Sequence, residues 1–248
     1  MNKNNITVYR NGLSGATLKY IALVCMLIDH LAQSGILEKP FGIVTGSPLT
    51  FSTSPRPVQI GIIMVSIGRL AFPIFCFFLV QGCLLTKNPG KHLLNLFLFA
   101  IISEIPFDYA LNQQITWTHQ NVMWTMFLGA LLIHITERIQ HNNRRLIMTL
   151  LFIPISLITT FTHVDYYFFG ILLIYLYYFA TTCKNPKKAT AALSFPGLIF
   201  EGVYYPSVYL STLLLYFYNG ERGKQWKWLF YVFYPLHLSL IALAHFYL

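Results

Sequence analysis

Charged residues are scarce in this sequence. Asp, Glu, Lys and Arg make up 10% of its 248 residues, whereas 56% are hydrophobic and 17% are aromatic. Soluble domains carry roughly a quarter charged residues, so this composition excludes an ordinary soluble enzyme and predicts a membrane protein. The net charge of +9 then indicates contact with anionic lipid rather than with nucleic acid, because the basic residues lie in short loops between apolar segments.

Several chemical motifs are also missing. The sequence contains no HExxH zinc motif, Walker loop, GxSxG elbow or GxGxxG turn. It has four cysteines without CxxC spacing, so we expect buried packing thiols rather than metal ligands or disulfides. These are Cys25, Cys76, Cys83 and Cys183. The sequence therefore predicts no bound metal ion.

Long apolar runs dominate the chain. Measured against a span of about 20 residues, they predict an all-α, polytopic transmembrane bundle of about nine spans, with seven to ten allowed, in a single domain covering 1–248. Pro196, Glu201 and Pro206 interrupt the seventh and eighth runs, so we expect broken or re-entrant helices there. The runs are 18–37, 59–86, 91–111, 120–140, 145–164, 166–183, 189–205, 206–219 and 226–247.

Basic residues alternate between the predicted loops. They occur in the N-terminal segment and then in every second loop, which by the positive-inside rule places segment 1–17 in the cytoplasm. The connection 38–58 is then an extracytoplasmic loop. It is rich in Pro, Ser, Thr and Gly, and we expect it either to cover a site and admit a substrate or simply to be mobile.

Asp29 and His30 lie side by side in the outer half of the first predicted span. Ionisable residues within hydrocarbon usually face a bundle interior or a cavity and mark a functional site. Lys19 lies eleven residues before His30, so on a helix the two share one face, roughly 16 Å apart. A cation near one surface and a base deeper on the same face suggest a long ligand with an anionic head. The alternative is a structural hydrogen bond from His30 to a neighbouring helix.

Other polar residues lie inside the predicted spans. Arg69 needs an anionic partner in the second span, and Glu104 and Asp108 lie four residues apart on one face of the third. They form either a buried ion-pair network that fixes helix packing or part of a reaction centre. Asn121 opens the fourth span and His237 lies near the middle of the last. Polar and aromatic residues at span ends, including His119 and Tyr166, are expected at the membrane interface.

Six blocks are spread over nearly the whole sequence: LKYIAL at 18–23, IDH at 28–30, GRLAFPIF at 68–75, ISEIPFD at 102–108, QNV at 120–122 and FYPLHL at 233–238. Together they resemble the TraX family of integral membrane proteins, named for a protein that acetylates the N-terminus of conjugative pilin. The pattern of a basic residue at Lys19, ten intervening positions and then His30 also resembles the first-helix motif of the wider transmembrane acyltransferases. Arginine is usual there, and lysine lacks its forked, bidentate grip on phosphate.

The resemblance implies acetyl transfer from cytosolic acetyl-CoA to an acceptor on the outer side of a bacterial inner (plasma) membrane. The implied acceptor is the N-terminus of an exported or pilin-like peptide, or a glycan. Membrane lipid is expected to surround the protein. The acyl arm of acetyl-CoA would extend from Lys19 towards His30, and Arg69 would also contact acetyl-CoA. His30 would be the general base or would form an acyl-histidine.

The remaining site assignments complete this hypothesis. Asp29 belongs to the predicted catalytic set but points about 100° away from His30, so Glu104 or Asp108 is expected to orient the imidazole. Arg69 and two further groups would stabilise the developing oxyanion and hold the substrate. These further residues are Asn121 and His237, with Tyr234 assigned to the same substrate site. The rival interpretation is a proton-coupled transporter that uses the buried Asp, Glu, His and Arg side chains.

Overall fold

Helices make up most of the structure. The computed structural model describes residues 12–139 and 143–247, and these ranges contain no β-strand. This confirms the predicted all-α class. Most of the predicted cytoplasmic segment 1–17 lies outside the described residues.

The described ranges contain twelve α-helices, and short 3-10 turns at Pro48–Thr53 and Pro206–Val208 join some of them. Asparagine side chains cap the first turns of α5, α6 and α9 by accepting a backbone N–H, which satisfies donors that the helix cannot pair itself. The helices are α1 (Gly15–Gln33), α2 (Glu38–Phe41), α3 (Arg56–Gly68), α4 (Ala71–Leu85), α5 (Pro89–Asn112), α6 (Val122–Glu137), α7 (Arg144–Phe161), α8 (Tyr167–Thr181), α9 (Pro186–Gly197), α10 (Ile199–Tyr204), α11 (Tyr209–Tyr216) and α12 (Lys227–His245).

Five helical segments among the described residues are long and apolar enough to cross a membrane. They are α1, the combined run α3–α4, α5, α7 and most of α12. Helices α6 and α8 are shorter but also apolar. These seven segments correspond to the first six predicted spans and the last one.

The chain between α8 and α12 is broken into short pieces, as its proline and glutamate residues predict. Helix α9 ends at Gly197, α10 covers only six residues, and Pro206 begins a 3-10 turn that leads into α11. The predicted pair 189–205 and 206–219 is therefore four helical pieces. Helix α9 packs against α8 and α11.

The centre of the bundle is apolar, and so is much of its outside. Helix α1 packs against α3, α4 and α12, while α12 lies along α5. The side chains of Leu18, Ile74 and Leu238 are fully buried between these helices. By contrast, Leu150 and Ile153 of α7 are more than half exposed, at 57% and 55%, which suits a surface in contact with hydrocarbon.

The connection 38–58 is folded against the start of α3. The Gln59 side-chain amide donates to the carbonyl oxygens of Phe51 at 3.1 Å and Ser54 at 3.0 Å. A Cβ added at Gly61 would lie 2.1 Å from the Val44 carbonyl oxygen, so this close approach needs glycine. The loop is thereby fixed beside the helix that leads to Arg69.

Candidate functional site

A cavity opens among the ends of α1, α3, α5 and α6. Its apolar wall includes Met26, Phe75 and Phe107. Its polar lining comes from four separate parts of the chain that the fold brings together. The polar lining residues are Asp29, His30, Gln33, Arg69, His119, Asp165 and Tyr166.

His30 contacts His237 of α12 at one side of this cavity. The Nδ1 atom of His30 lies 2.6 Å from the Nε2 atom of His237, and the two rings are nearly parallel with centroids 4.9 Å apart. The Nδ1 atom of His237 is in turn 2.6 Å from the carbonyl oxygen of Phe233. The edge-on ring of Tyr234 lies 5.9 Å from that of His30.

This chain of hydrogen bonds selects the tautomer of His30. A carbonyl oxygen only accepts, so Nδ1 of His237 must carry the proton and, in a neutral ring, Nε2 must accept. His30 therefore donates from Nδ1 and keeps the lone pair on its own Nε2. That nitrogen is the basic atom available for chemistry. His237, which was predicted as an oxyanion donor, instead orients His30.

Lys19 and His30 face the same neighbour, as their helical spacing predicts. The Lys19 ammonium donates to Oε1 of Gln225 at 2.9 Å and lies 5.2 Å from the centre of the Phe230 ring, next to α12. A second ring, that of Phe78, is 4.9 Å away. Lys19 is not among the residues that line the cavity. Its ammonium is held between rings rather than placed at an open entrance.

Arg69 occupies the short break between α3 and α4. Its Nε atom is 3.7 Å from Oε2 of Glu201, and Nη1 donates to the Tyr166 hydroxyl at 3.5 Å. The guanidinium also lies 5.2 Å from the centre of the Tyr205 ring. The expected network of Arg69 with Glu104 and Asp108 is wrong, because Glu201 supplies the paired carboxylate.

Asp29 turns away from His30, as its position on α1 predicts. Its Oδ2 atom accepts from the Gln33 amide at 2.5 Å, whereas Oδ1 is buried without a hydrogen-bond partner. The side chain lies against Gly68, where an added Cβ would be 2.3 Å from Oδ1. This oxygen is therefore enclosed where α1 packs against the end of α3.

Glu104, Asp108 and Asn121 form a separate cluster at the junction of α5 and α6. The Asn121 amide donates to Glu104 and to the carbonyl oxygen of Ala100. Asp108 accepts from the backbone N–H of Thr116 at 3.1 Å. The expectation that Glu104 or Asp108 orients His30 is wrong, because His237 takes that position. Asn121 is likewise committed to helix packing rather than placed as an oxyanion donor.

The turn before α8 brings Asp165 and Tyr166 to the cavity, which the sequence analysis did not foresee. His163 and Tyr166 have φ values of 53° and 63°, a left-handed conformation that is rare for such residues. Gln120 holds the turn by donating to the His163 carbonyl at 2.9 Å and accepting from the Asp165 N–H at 3.0 Å. The Tyr166 ring stacks on Phe72 with centroids 3.6 Å apart.

His119 also belongs to the cavity rather than simply to the membrane interface. Its Nε2 atom lies 3.5 Å from Oδ1 of Asp165. This contact with Asp165 raises the pKa of His119 above its usual value, although burial acts in the opposite direction. The imidazole is therefore favoured in its charged form beside the carboxylate.

A second cavity adjoins the first. The two share Phe72, Asp165 and Tyr166, and the second extends between α8 and α10 to Phe200 and Glu201. Of the polar residues that line the first cavity, Asp165 and Tyr166 thus also line the second.

Comparisons with known proteins cover nearly the whole chain. A sequence model of the family described as TraX protein matches residues 14–244. The chain is also similar to the probable fimbrial assembly protein FimC, serogroup H1, of Dichelobacter nodosus, with 26% identity over 260 residues that cover 95% of this chain and 97% of the relative. No solved structure matches the chain. The matched residues include those that line both cavities, together with His30 on α1 and His237 on α12.

Proposed function

The chain belongs to the TraX family, and we propose that it is an acyltransferase that moves an acetyl group from acetyl-CoA to the N-terminal amine of an exported protein of the pilin or fimbrial type. The observation that carries this proposal is the hydrogen-bonded chain from Phe233 through His237 to His30, which leaves a basic nitrogen at a polar cavity. The relative described as a fimbrial assembly protein supports the choice of acceptor.

His30 acts as the general base in this reaction. Its Nε2 atom takes a proton from the acceptor amine as the nitrogen attacks the thioester carbonyl carbon. The C–N bond forms, the C–S bond breaks, and the departing thiolate takes a proton back from His30. The products are an acetamide and free coenzyme A, so the histidine returns to its starting state.

Arg69 and Tyr166 stabilise the negative charge that develops on the thioester oxygen. The Tyr166 hydroxyl accepts from Arg69, so its own O–H remains able to donate to a ligand. Two preformed donors at one point are the arrangement that stabilises an oxyanion. The stack of Tyr166 on Phe72 holds the hydroxyl in place.

The carboxylates around the two cavities select an amine as the acceptor. Asp29 and Asp165 line the first cavity and Glu201 lines the second. An N-terminal ammonium entering between them exchanges hydrogen bonds to water for charge-assisted bonds to carboxylate oxygens, which are the stronger kind. It releases one proton to solvent before the neutral amine attacks, and His30 takes the second proton during the attack. A neutral glycan hydroxyl gains less from this environment.

Acetyl-CoA has to reach His30 from the cytoplasmic side in the inner membrane. Lys19 remains the proposed contact for its anionic part, because it lies on the face of α1 that carries His30. The contacts of Lys19 with Phe78, Gln225 and Phe230 must then open when the co-substrate binds. Binding of acetyl-CoA is therefore expected to loosen the packing of α1 against α12.

The proposal is tested by acetyl transfer in detergent. Purified protein is mixed with labelled acetyl-CoA and peptides that have free or blocked N-termini, and the acetylated peptide is measured. We expect transfer to free N-termini only, and its loss in His30→Ala. His163→Asn is the matched control, because His163 is exposed at a turn with positive φ, a conformation that asparagine tolerates.

Either of two results would overturn the proposal. The first is acetyl transfer at the wild-type rate by folded His30→Ala. The second is an absence of acetyl-CoA binding and turnover in folded wild-type protein, together with proton-coupled uptake of a solute into sealed vesicles. The second result would assign the buried polar residues to transport.

A further inference from the structure

A cysteine and two histidines meet at the opposite end of the bundle from His30. Cys83 lies near the end of α4, His92 in the first turn of α5 and His134 in the last turn of α6. We propose that these three side chains bind a transition-metal ion of the zinc class. This proposal does not depend on the acyltransferase activity.

The three ligand atoms already lie close together. One from each residue falls within 4.8 Å of the other two. Nδ1 of His92 is 3.1 Å from Nε2 of His134 and 4.0 Å from Sγ of Cys83. In a tetrahedral zinc site, with Zn–N near 2.0 Å and Zn–S near 2.3 Å, neighbouring ligand atoms are about 3.3 to 3.6 Å apart. Movements of about 1 Å or less in the side chains therefore bring the three atoms to zinc-binding distances.

The ligand types also agree with such an ion. Thiolate and imidazole favour zinc and copper over magnesium, calcium or manganese, which prefer oxygen ligands. Binding would replace the Cys83 thiol proton with the metal and release that proton to solvent, while each histidine would bind as a neutral ring. Three protein ligands leave a fourth position for water or another molecule.

Burial shows how the ion would enter and what it would do. Cys83 and His134 are 5% and 4% exposed, whereas His92 is only partly buried at the start of its helix. The site is therefore reached from the loop side through His92. An ion there would tie α6 to α4 and α5, which the short loop 86–88 already joins at this end of the bundle.

The cluster is separate from the cavity around His30. Phe72 lines that cavity and lies eleven residues before Cys83 on the same helix, a rise of roughly 16 Å. No spacing pattern along the chain marks this site, because His134 is far from the other two residues in the sequence. Its ligands converge only when α4, α5 and α6 pack.

Metal binding is tested on the full-length protein in detergent after removal of metal with a chelator. Zinc is added and bound metal is measured after gel filtration, and cobalt is added in parallel to record its absorption spectrum. We expect one ion per chain and a thiolate-to-cobalt charge-transfer band. Loss of one ligand, in Cys83→Ser, His92→Ala or His134→Ala, should weaken zinc binding by more than about 100-fold, because even outer hydrogen-bond partners of ligands contribute about 10- to 100-fold.

Cys76→Ser is the matched control, since Cys76 is a buried cysteine of the same helix outside the cluster. It should keep both the zinc stoichiometry and the cobalt band. The proposal is overturned if folded wild-type protein binds no more zinc than the His92→Ala/His134→Ala variant. It is also overturned if wild-type protein gives no thiolate-to-cobalt band, a result that does not depend on the folding of any variant.

Discussion

Two pairs of contacting histidines lie within the described ranges, at opposite ends of the bundle. In both pairs an Nδ1 atom meets an Nε2 atom, at 2.6 Å between His30 and His237 and at 3.1 Å between His92 and His134. The first pair has nearly parallel rings, whereas the second has rings at 85°. The residue types are the same, so the surroundings decide the chemistry.

The two histidine pairs differ in the third group that each pair contacts. The first pair ends on the Phe233 carbonyl oxygen, which can only accept a hydrogen bond and so fixes one tautomer along the chain. The second pair ends on the Cys83 sulfur, which can lose its proton and become a metal ligand. A carbonyl partner thus favours a proton-transferring histidine, and a thiol partner favours a metal site.

The largest expected effect is that two variants each lose one property, acetyl transfer or zinc binding, and keep the other. His30→Ala should lower acetyl transfer by about 10²- to 10⁴-fold, the usual contribution of a general base, and should keep its zinc. His134→Ala should lose zinc while keeping the acetyl-transfer rate per folded molecule in detergent. Rates and bound zinc are measured on the same preparations. Equal losses of both properties in both variants would show that the two ends are not independent.

The next effect concerns the role of His237 in orienting His30. His237→Phe removes the acceptor for the His30 Nδ1 proton, so His30 loses its fixed tautomer, and transfer should fall by about 10- to 100-fold. His237→Gln restores a side-chain oxygen that can accept this proton and should recover part of the rate. The measurement is kcat against KM for both variants. Equal rates for the two variants would contradict the role of His237 in orienting His30 and would show that His237 contributes only to helix packing.

Much of the fold could be predicted because apolar runs in a membrane have few alternatives. A segment of about 20 apolar residues must satisfy its backbone internally, so a helix is the expected outcome. The break between α8 and α12 was also visible in the prolines, because Pro196 lies one residue before the end of α9 and Pro206 begins the 3-10 turn, and proline disfavours the continuation of a regular helix. Helical spacing further predicted that Lys19 and His30 share a face, which their contacts with the region of α12 confirm.

The site was harder to predict because it depends on which helices become neighbours. Glu104 and Asp108 were natural candidates to orient His30, yet α5 presents them to the start of α6. Tyr166 looked like an interfacial aromatic, and its place in the cavity depends on a left-handed turn that local sequence does not specify. Contacts between distant segments determine which side chains meet at the site, and spacing along one helix does not predict those contacts.

Glycines beside the two histidine pairs should respond differently to alanine. A Cβ at Gly68 would lie 2.2 Å from the Asp29 side chain, whereas one at Gly82 would come no closer than 3.8 Å to His92. Gly68→Ala should therefore destabilise the protein by about 1 to 3 kcal/mol through overpacking. Gly82→Ala, its control, should be neutral or stabilising by up to about 1 kcal/mol, since alanine favours helix. Thermal unfolding in detergent measures both, and equal melting temperatures would contradict the close contact with Asp29.

The smallest expected effect is a pH dependence of folding stability, which arises at the end of the bundle that contains His30 and His237. Asp165 raises the pKa of His119, so folding favours the charged imidazole, and this stabilisation is complete below the unfolded pKa of about 6.5. It is lost as the pH rises through the higher folded pKa. Both side chains are partly exposed, at 38% and 29%, so solvent screening keeps the effect below about 1 kcal/mol. Unfolding of chelator-treated wild type and His119→Gln is compared at about pH 5.5 and about pH 8.5. Wild type should lose more stability between these values than His119→Gln, and an identical loss would show that the contact with Asp165 does not favour the charged form.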